Sequence, residues 1–160
     1  IIGDKPLELP VYHYGSIGIR GREEWNGKDK ASFVTSEKIT DRNKANSQPA
    51  RWIAMSGAVE GGTAGIAILS HPENFRSPQP IRTHPTEPFI SFAPQTNEAM
   101  SIQPGETYRM KYRFITFDGE PDAAKLEALW GTRSSGLPST ASSRIATWKI
   151  FRASSGTSPS

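Results

Sequence analysis

The chain has 160 residues, enough for one domain around one core, and 14 glycines and 13 prolines against 35% hydrophobic residues favour an all-β fold rich in turns over a helical one. It has no run of about 18 apolar residues, so no membrane-spanning helix is expected, and having no cysteine it forms no disulfide, thiolate metal site or cysteine nucleophile. The net charge of +3 belongs to the end of the chain: residues 131–160 carry Arg133, Arg144, Lys149, Arg152 and no acid, which leaves 15 basic against 16 acidic residues in 1–130, and so no nucleic-acid partner is expected.

Residues 1–10 read as a lead-in. The chain opens at Ile1 with no initiator methionine and no signal-peptide pattern, so its natural N-terminus is expected upstream. Val11 to Arg20 reads as a strand, with Tyr12 and Tyr14 on one face and His13, Ile17 and Ile19 on the other; Gly15 and Gly18 within it predict a bulge or a close backbone approach. A charged connection follows. Ala31 to Ile39 alternates weakly and predicts an exposed strand, and 40–49 is a polar loop. Arg51 to Met55 is a short strand with Trp52 in the core. Gly61-Gly62 marks a hairpin, and Ala64 to Leu69 is small and apolar enough to be buried on both faces.

His71 to Phe89 holds two of the three histidines, Arg76, Arg82, Asn74 and five prolines. Proline fixes φ, removes a donor and pushes its predecessor into extended backbone, so this stretch is expected to be a long stiff loop, neither helix nor central strand. Pro88 to Ala93 leaves it as a strand. Pro104-Gly105 suits a type II turn. Tyr108 to Phe114 alternates strictly and predicts a strand, which Asp118-Gly119 ends. Asp122 to Trp130 places Ala123, Leu126, Leu129 and Trp130 at helical spacing after Pro121. The last thirty residues contain nine serines and predict a disordered tail, or a translated stretch foreign to the protein. The expected architecture is an antiparallel β-sandwich over 1–130 with one short C-terminal helix, followed by the tail 131–160.

Loops on a rigid scaffold carry much of binding and catalysis, so His71, Asn74, Arg76, Arg82 and His84 form the first candidate site. The histidines could move protons, and the arginines and asparagine could hold carboxylates or sugar hydroxyls. The alternative is that Arg76 and Arg82 pair with acids such as Glu73 and Glu87 and that the histidines bond loop carbonyls, since a long ordered loop needs internal partners. A second set is His13, Arg20, Glu23, Glu24 and Trp25, in which a carboxylate near a histidine could work as an acid–base pair. Scattered histidines match no ligand spacing, so no metal is expected, and with no nucleotide fingerprint no cofactor is either. Trp25, Trp52, Tyr12 and Tyr14 could stack on sugar rings, although Trp52 beside Ile53 reads as core.

Several stretches carry a resemblance: Y-H-Y-G-S-I-G-I-R-G at 12–21, A-R-W-I-A-M-S-G at 50–57, G-I-A-I-L-S-H-P-E-N-F-R-S-P-Q-P-I-R-T-H-P at 65–85, P-F-I-S-F-A-P at 88–94 and Y-R-M-K-Y-R-F-I-T-F-D-G at 108–119. Over roughly 8–130 the chain resembles the C-terminal half of the PmoA-like bacterial family. The H-P-x-N-x-R stretch followed by R-x-H-P is the most specific part. The resemblance implies a β-sandwich akin to the galactose-mutarotase-like supersandwich, a sugar-related context suited to a soluble periplasmic or secreted protein, and an N-terminal half missing from this sequence. The matching positions are His71, Asn74, Arg76, Arg82 and His84, with Tyr14 and Arg20 upstream. The expected function is a carbohydrate-directed domain of a sugar-processing enzyme. His71 or His84 would transfer protons, and Asn74, Arg76, Arg82, Arg20, Tyr14 and Trp25 would hold a carbohydrate or other small polar ligand. The alternatives are a sugar-binding sandwich without catalysis and a structural domain without ligand.

Overall fold

The computed structural model describes residues 3–132; residues 133–160, most of the expected tail, lie outside the described residues. In chain order the elements are β1 (Leu7–Leu9), β2 (Gly18–Arg20), a single 3-10 turn (Glu23–Trp25), β3 (Ala31–Thr35), α1 (Arg42–Ala45), β4 (Pro49–Ala50), β5 (Trp52–Val59), β6 (Gly62–Ser70), β7 (Gln79–Thr83), β8 (Phe89–Phe92), β9 (Met100–Ile102), β10 (Tyr112–Asp118) and α2 (Ala123–Gly131). A first sheet has the order β10-β6-β5-β3, a second β2-β8-β7-β4, and β1 pairs separately with β9; every pairing is antiparallel. The expected all-β sandwich-like fold is therefore present.

Alternation decides what each sheet face meets. Phe33, Ile53, Met55 and Ile68 of the first sheet pack with Ile81, Ile90 and Phe92 of the second, and this layer is the main core. The other face of the first sheet presents Trp52, Ala54, Ala67 and Leu69, which Leu126 of α2 covers. β6 is thus buried on both faces, as its small apolar run predicts. Asp122 caps α2 by accepting from Lys125 N–H at 2.9 Å. Glu127 on α2 accepts from the Trp52 indole at 2.8 Å and pairs with Arg51 at 3.0 Å, which fixes the helix on the sheet.

The hairpin between β5 and β6 turns on Glu60-Gly61, with Val59 opposite Gly62 and Gly61 at φ +81°. The turn at Pro104-Gly105 closes with Glu106 N–H donating to Gln103 O at 3.0 Å.

Five expectations are corrected. The strand over 11–20 shrinks to Gly18–Arg20, because Gly15 and Ser16 take positive φ and break it. β3 is an edge strand but not an exposed one: Ala31, Phe33 and Thr35 are buried. It stops at Thr35, whose Oγ1 accepts from the N–H groups of Glu37 and Ile39 and turns the chain. The polar loop 40–49 contains α1, which Asp41 caps by accepting from Asn43 and Lys44, and it runs into β4. The strand expected at 108–114 begins only at Tyr112, since both backbone groups of Lys111 are taken by the Asn74 side chain, and it continues to Asp118.

The fifth correction concerns the proline-rich stretch, which contains β7, paired on both sides. Pro80 fits because the β7–β8 register starts one residue later, at Ile81 opposite Phe92, where only the Pro80 carbonyl is needed; it accepts from Ala93 N–H at 2.9 Å.

One side chain ties this stretch to the sandwich. Arg42 on α1 is only 7% exposed. Its guanidinium donates to the carbonyls of Ala31 at 3.0 Å, Gly27 at 3.3 Å, Pro85 and Glu87 at 3.4 Å and His84 at 3.5 Å, and it lies 4.2 Å over the Phe33 ring. Arg42→Met keeps the stem and orphans these acceptors. It is expected to cost about 3 kcal/mol in urea unfolding at unchanged m-value; a loss under about 1 kcal/mol would show that these long bonds contribute little.

Candidate functional site

Most residues of the expected loop site are used within the fold. Asn74 is 5% exposed. Its amide Nδ2 donates to Lys111 O at 2.8 Å and to Ser70 Oγ at 3.0 Å, and its Oδ1 accepts from Lys111 N–H at 2.7 Å. The side chain acts as a strand partner that joins the end of β6 to the start of β10. Arg76 takes a left-handed backbone, φ +58°. Its guanidinium donates to the carbonyls of Pro94 and Ala99 at 2.8 and 2.9 Å and to that of Glu98, whose carboxylate it also meets at 3.1 Å. It holds the 94–99 segment.

The two histidines do the same on a smaller scale. His71 Nδ1 accepts from Glu73 N–H at 3.2 Å, and His84 Nδ1 accepts from Glu87 N–H at 3.0 Å. His71 bonds through its backbone N–H to Lys111 O and His84 to Phe89 O, so the two lie beyond opposite ends of β7. The structure does not bring them together. His71 lines a small cavity of about 170 Å³ with Leu69, Tyr112 and Trp130.

Trp25 is corrected from ligand contact to core. It is 6% exposed, its indole donates to Ala58 O at 2.7 Å, and a Cβ added at Gly57 would stand 2.6 Å from its ring. Glu24 pairs with Arg22 at 3.1 Å and the His13 ring lies against those of Tyr12 and Tyr14; among the described residues neither Glu23 nor Glu24 forms an ion pair with His13.

Three expected residues do converge, on the outward face of the second sheet. The register sets Gly18, Ser91 and Arg82 in one row across β2, β8 and β7, with Arg20 opposite Phe89 beside it. The half-buried Tyr14 covers this face: its ring lies 5.2 Å from the Arg82 guanidinium and 5.7 Å, edge-on, from Phe89. Arg20 lies 5.7 Å over Phe89 and pairs with Glu87. Gln95 Nε2 donates to Tyr14 O at 2.6 Å and holds the Tyr14 segment in place. Phe89 and Ser91 are the members that sequence reasoning missed. The signal was there, since both fall on one side of a correctly expected strand, but which side faces out depends on sheet pairing.

A buried polar network lies where β6, β7 and β10 meet. Gln79, 0% exposed, donates to Phe75 O at 2.7 Å and accepts from Tyr112 Oη at 2.6 Å and Ser70 Oγ at 3.3 Å. Burial pushes the Tyr112 phenol up to about 12. Among the described residues no three His, Asp or Glu side chains group so as to hold a metal ion, and no helix is long and apolar enough to cross a membrane.

One family model, described as a family of unknown function (DUF6807), matches residues 2–131. No curated protein and no solved structure matches the chain.

The Tyr112 shift has a pH consequence. Between the ordinary phenol value near 10 and about 12 the folded state holds a proton that the unfolded state has released, so stability falls as pH rises through that window. Tyr112→Phe is expected to flatten the decline by up to about 3 kcal/mol in chemical unfolding between pH 9 and 12; equal slopes for both proteins would contradict the assignment.

Proposed function

We propose that this chain, which belongs to the DUF6807 family, is a carbohydrate-directed β-sandwich that binds its sugar on the outward face of the second sheet. The observation that carries this reading is the gathering of Tyr14, Arg20 and Arg82 with Phe89 on that one face. A sugar ring offers an apolar C–H face and a rim of hydroxyls. Aromatic rings fixed beside forked guanidinium donors match both parts. Arg82 lies within the proline-rich stretch that sequence singles out, and Phe89 is its last residue. The PmoA-like resemblance, with the sugar-related context it implies, belongs to the same proposal.

Binding is preferred over turnover. A proton-transfer site needs a titrating group facing the ligand. Both loop histidines instead commit Nδ1 to their own loops, at opposite ends of β7.

The full chain, titrated with neutral and acidic mono- and disaccharides, is expected to show two-dimensional NMR shifts concentrated at Tyr14, Phe89 and Arg82. Tyr14→Ala should weaken binding about tenfold while moving the melting temperature by no more than about 4 °C. Spectra that stay unchanged with every sugar would remove this function. Product formation from any glycan would restore the enzyme reading.

A further inference from the structure

We infer that the preferred ligand of this face is an acidic sugar whose carboxylate is held by Arg82; this rests on the carbohydrate reading above and names its substrate class. The argument starts from charge. Arg20, Arg22, Arg51 and Arg76 each meet a carboxylate. Arg82 meets none among the described residues: its Nη1 donates to neutral oxygens only, Asn46 Oδ1 at 2.9 Å and Thr83 O at 3.1 Å. Glu87, the acid five residues further on, is taken by Arg20. Among the described residues Nη2 has no hydrogen-bond partner, and Nε is shielded from solvent without one.

The second observation is independent of charge. Four shielded side-chain polar atoms lack a hydrogen bond among the described residues: Arg82 Nε, Ser91 Oγ, Thr96 Oγ1 and Tyr108 Oη. The first two belong to residues directly opposite one another on β7 and β8, and Ser91 is 2% exposed. Folded proteins rarely leave such donors empty, and here two belong to residues paired across the strands. Gly18 completes the row, and a Cβ there would stand 2.8 Å from Ser91 Cβ and 3.0 Å from the Phe89 ring. The floor is therefore as low as a sheet face allows. A carboxylate is acceptor-only and planar, matches the guanidinium fork, and has lone pairs left for a hydroxyl. It reaches Nη2 directly, and Nε and Ser91 Oγ gain partners as the Tyr14 ring over the guanidinium gives way. The pyranose ring then lies against Tyr14 and Phe89.

The test is calorimetric titration of the full chain at pH 7 and low salt with galacturonate, glucuronate, their neutral counterparts galactose and glucose, and acetate and inorganic phosphate alone. The acidic sugars are expected to bind at least about tenfold tighter than the neutral ones. Arg82→Gln should abolish that preference by lowering uronate affinity more than neutral-sugar affinity, so that the two classes bind alike. Ser91→Ala, which removes a hydroxyl without a partner and so keeps the fold intact, should lower uronate affinity about threefold. Equal binding of acidic and neutral sugars, or a preference that survives Arg82→Gln, overturns the carboxylate assignment and leaves the carbohydrate reading standing. Acetate or phosphate binding as tightly as the uronates overturns the sugar part. Failure of every sugar to bind overturns both.

Discussion

A buried guanidinium without a carboxylate organises this fold. Arg42 gives up hydration, which lowers its pKa through desolvation, Asp29 opposing that shift from nearby, and it recovers the loss through backbone carbonyls of 27–31 and 84–87 and the face of Phe33. Carbonyls at loop turns point in directions that no strand ladder can satisfy, and one planar donor with five N–H groups reaches several of them at once. The helix that carries Arg42 has a single turn and would not form alone. Asp41 caps it at one end, and the buried arginine anchors it to the core. The consequences run on along the chain. The Arg42 carbonyl accepts from Thr83 Oγ1 at 2.6 Å, Ser47 and Gln48 just after the helix exchange backbone bonds with Ile81, and Asn46, its C-terminal cap, holds Arg82. The outward face of the second sheet is thereby tied to one buried residue of α1 behind β7.

What was legible in the sequence follows from the range over which the deciding forces act. Periodicity is local, so the β5–β6 hairpin, the doubly buried β6, strand β8, the turn at Pro104-Gly105 and helix α2 can be read from neighbouring residues. The misread ends are places where a distant group decides. The alternation of Tyr108 to Phe114 is real, but whether it becomes strand depends on what meets Lys111, and Asn74, 37 residues earlier, meets it first. Pro80 argues against a central strand by its own chemistry. That argument fails only because the partner strand's register begins one residue beyond it. The burial of β3 is hidden by small residues, Ala31 and Thr35, whose inward direction is fixed by β5 alongside.

The same logic separates the candidate residues. Histidine, asparagine and arginine in a proline-rich stretch signal a site, because such stretches are stiff and their side chains polar. The composition is just as strongly required by the stretch itself. Prolines deprive the backbone of regular pairing, and the carbonyls and N–H groups left over need side-chain partners. His71, Asn74, Arg76 and His84 supply them. Arg82 differs because it sits on a strand: its Nη1 serves Thr83 O and Asn46 Oδ1, while its Nε has no partner among the described residues. Tyr14 and Arg20 reach the same face from a segment some sixty to seventy residues earlier, an encounter that only the order β2-β8-β7 produces.

The contrast between the two polar environments bears on what an empty hydrogen-bond position means here. At the end of β6, Gln79 and Asn74 each make three side-chain bonds, and even the Tyr112 hydroxyl, pushed to about 12 by burial, has both an acceptor and a donor beside it. Four shielded polar atoms contrast with that network, Thr96 Oγ1 and Tyr108 Oη lying apart and Arg82 Nε and Ser91 Oγ belonging to cross-strand neighbours. Both open positions are donors, both lie on the outward face, and among the described residues no carboxylate pairs with the charge beside them. Closing them within the chain would need only an acid at a neighbouring surface position, and the acid that is present, Glu87, is committed to Arg20 instead. The arrangement keeps a guanidinium and a hydroxyl with open donors on the outward face of the second sheet, with the Tyr14 ring 5.2 Å from the guanidinium and 5.7 Å from Phe89.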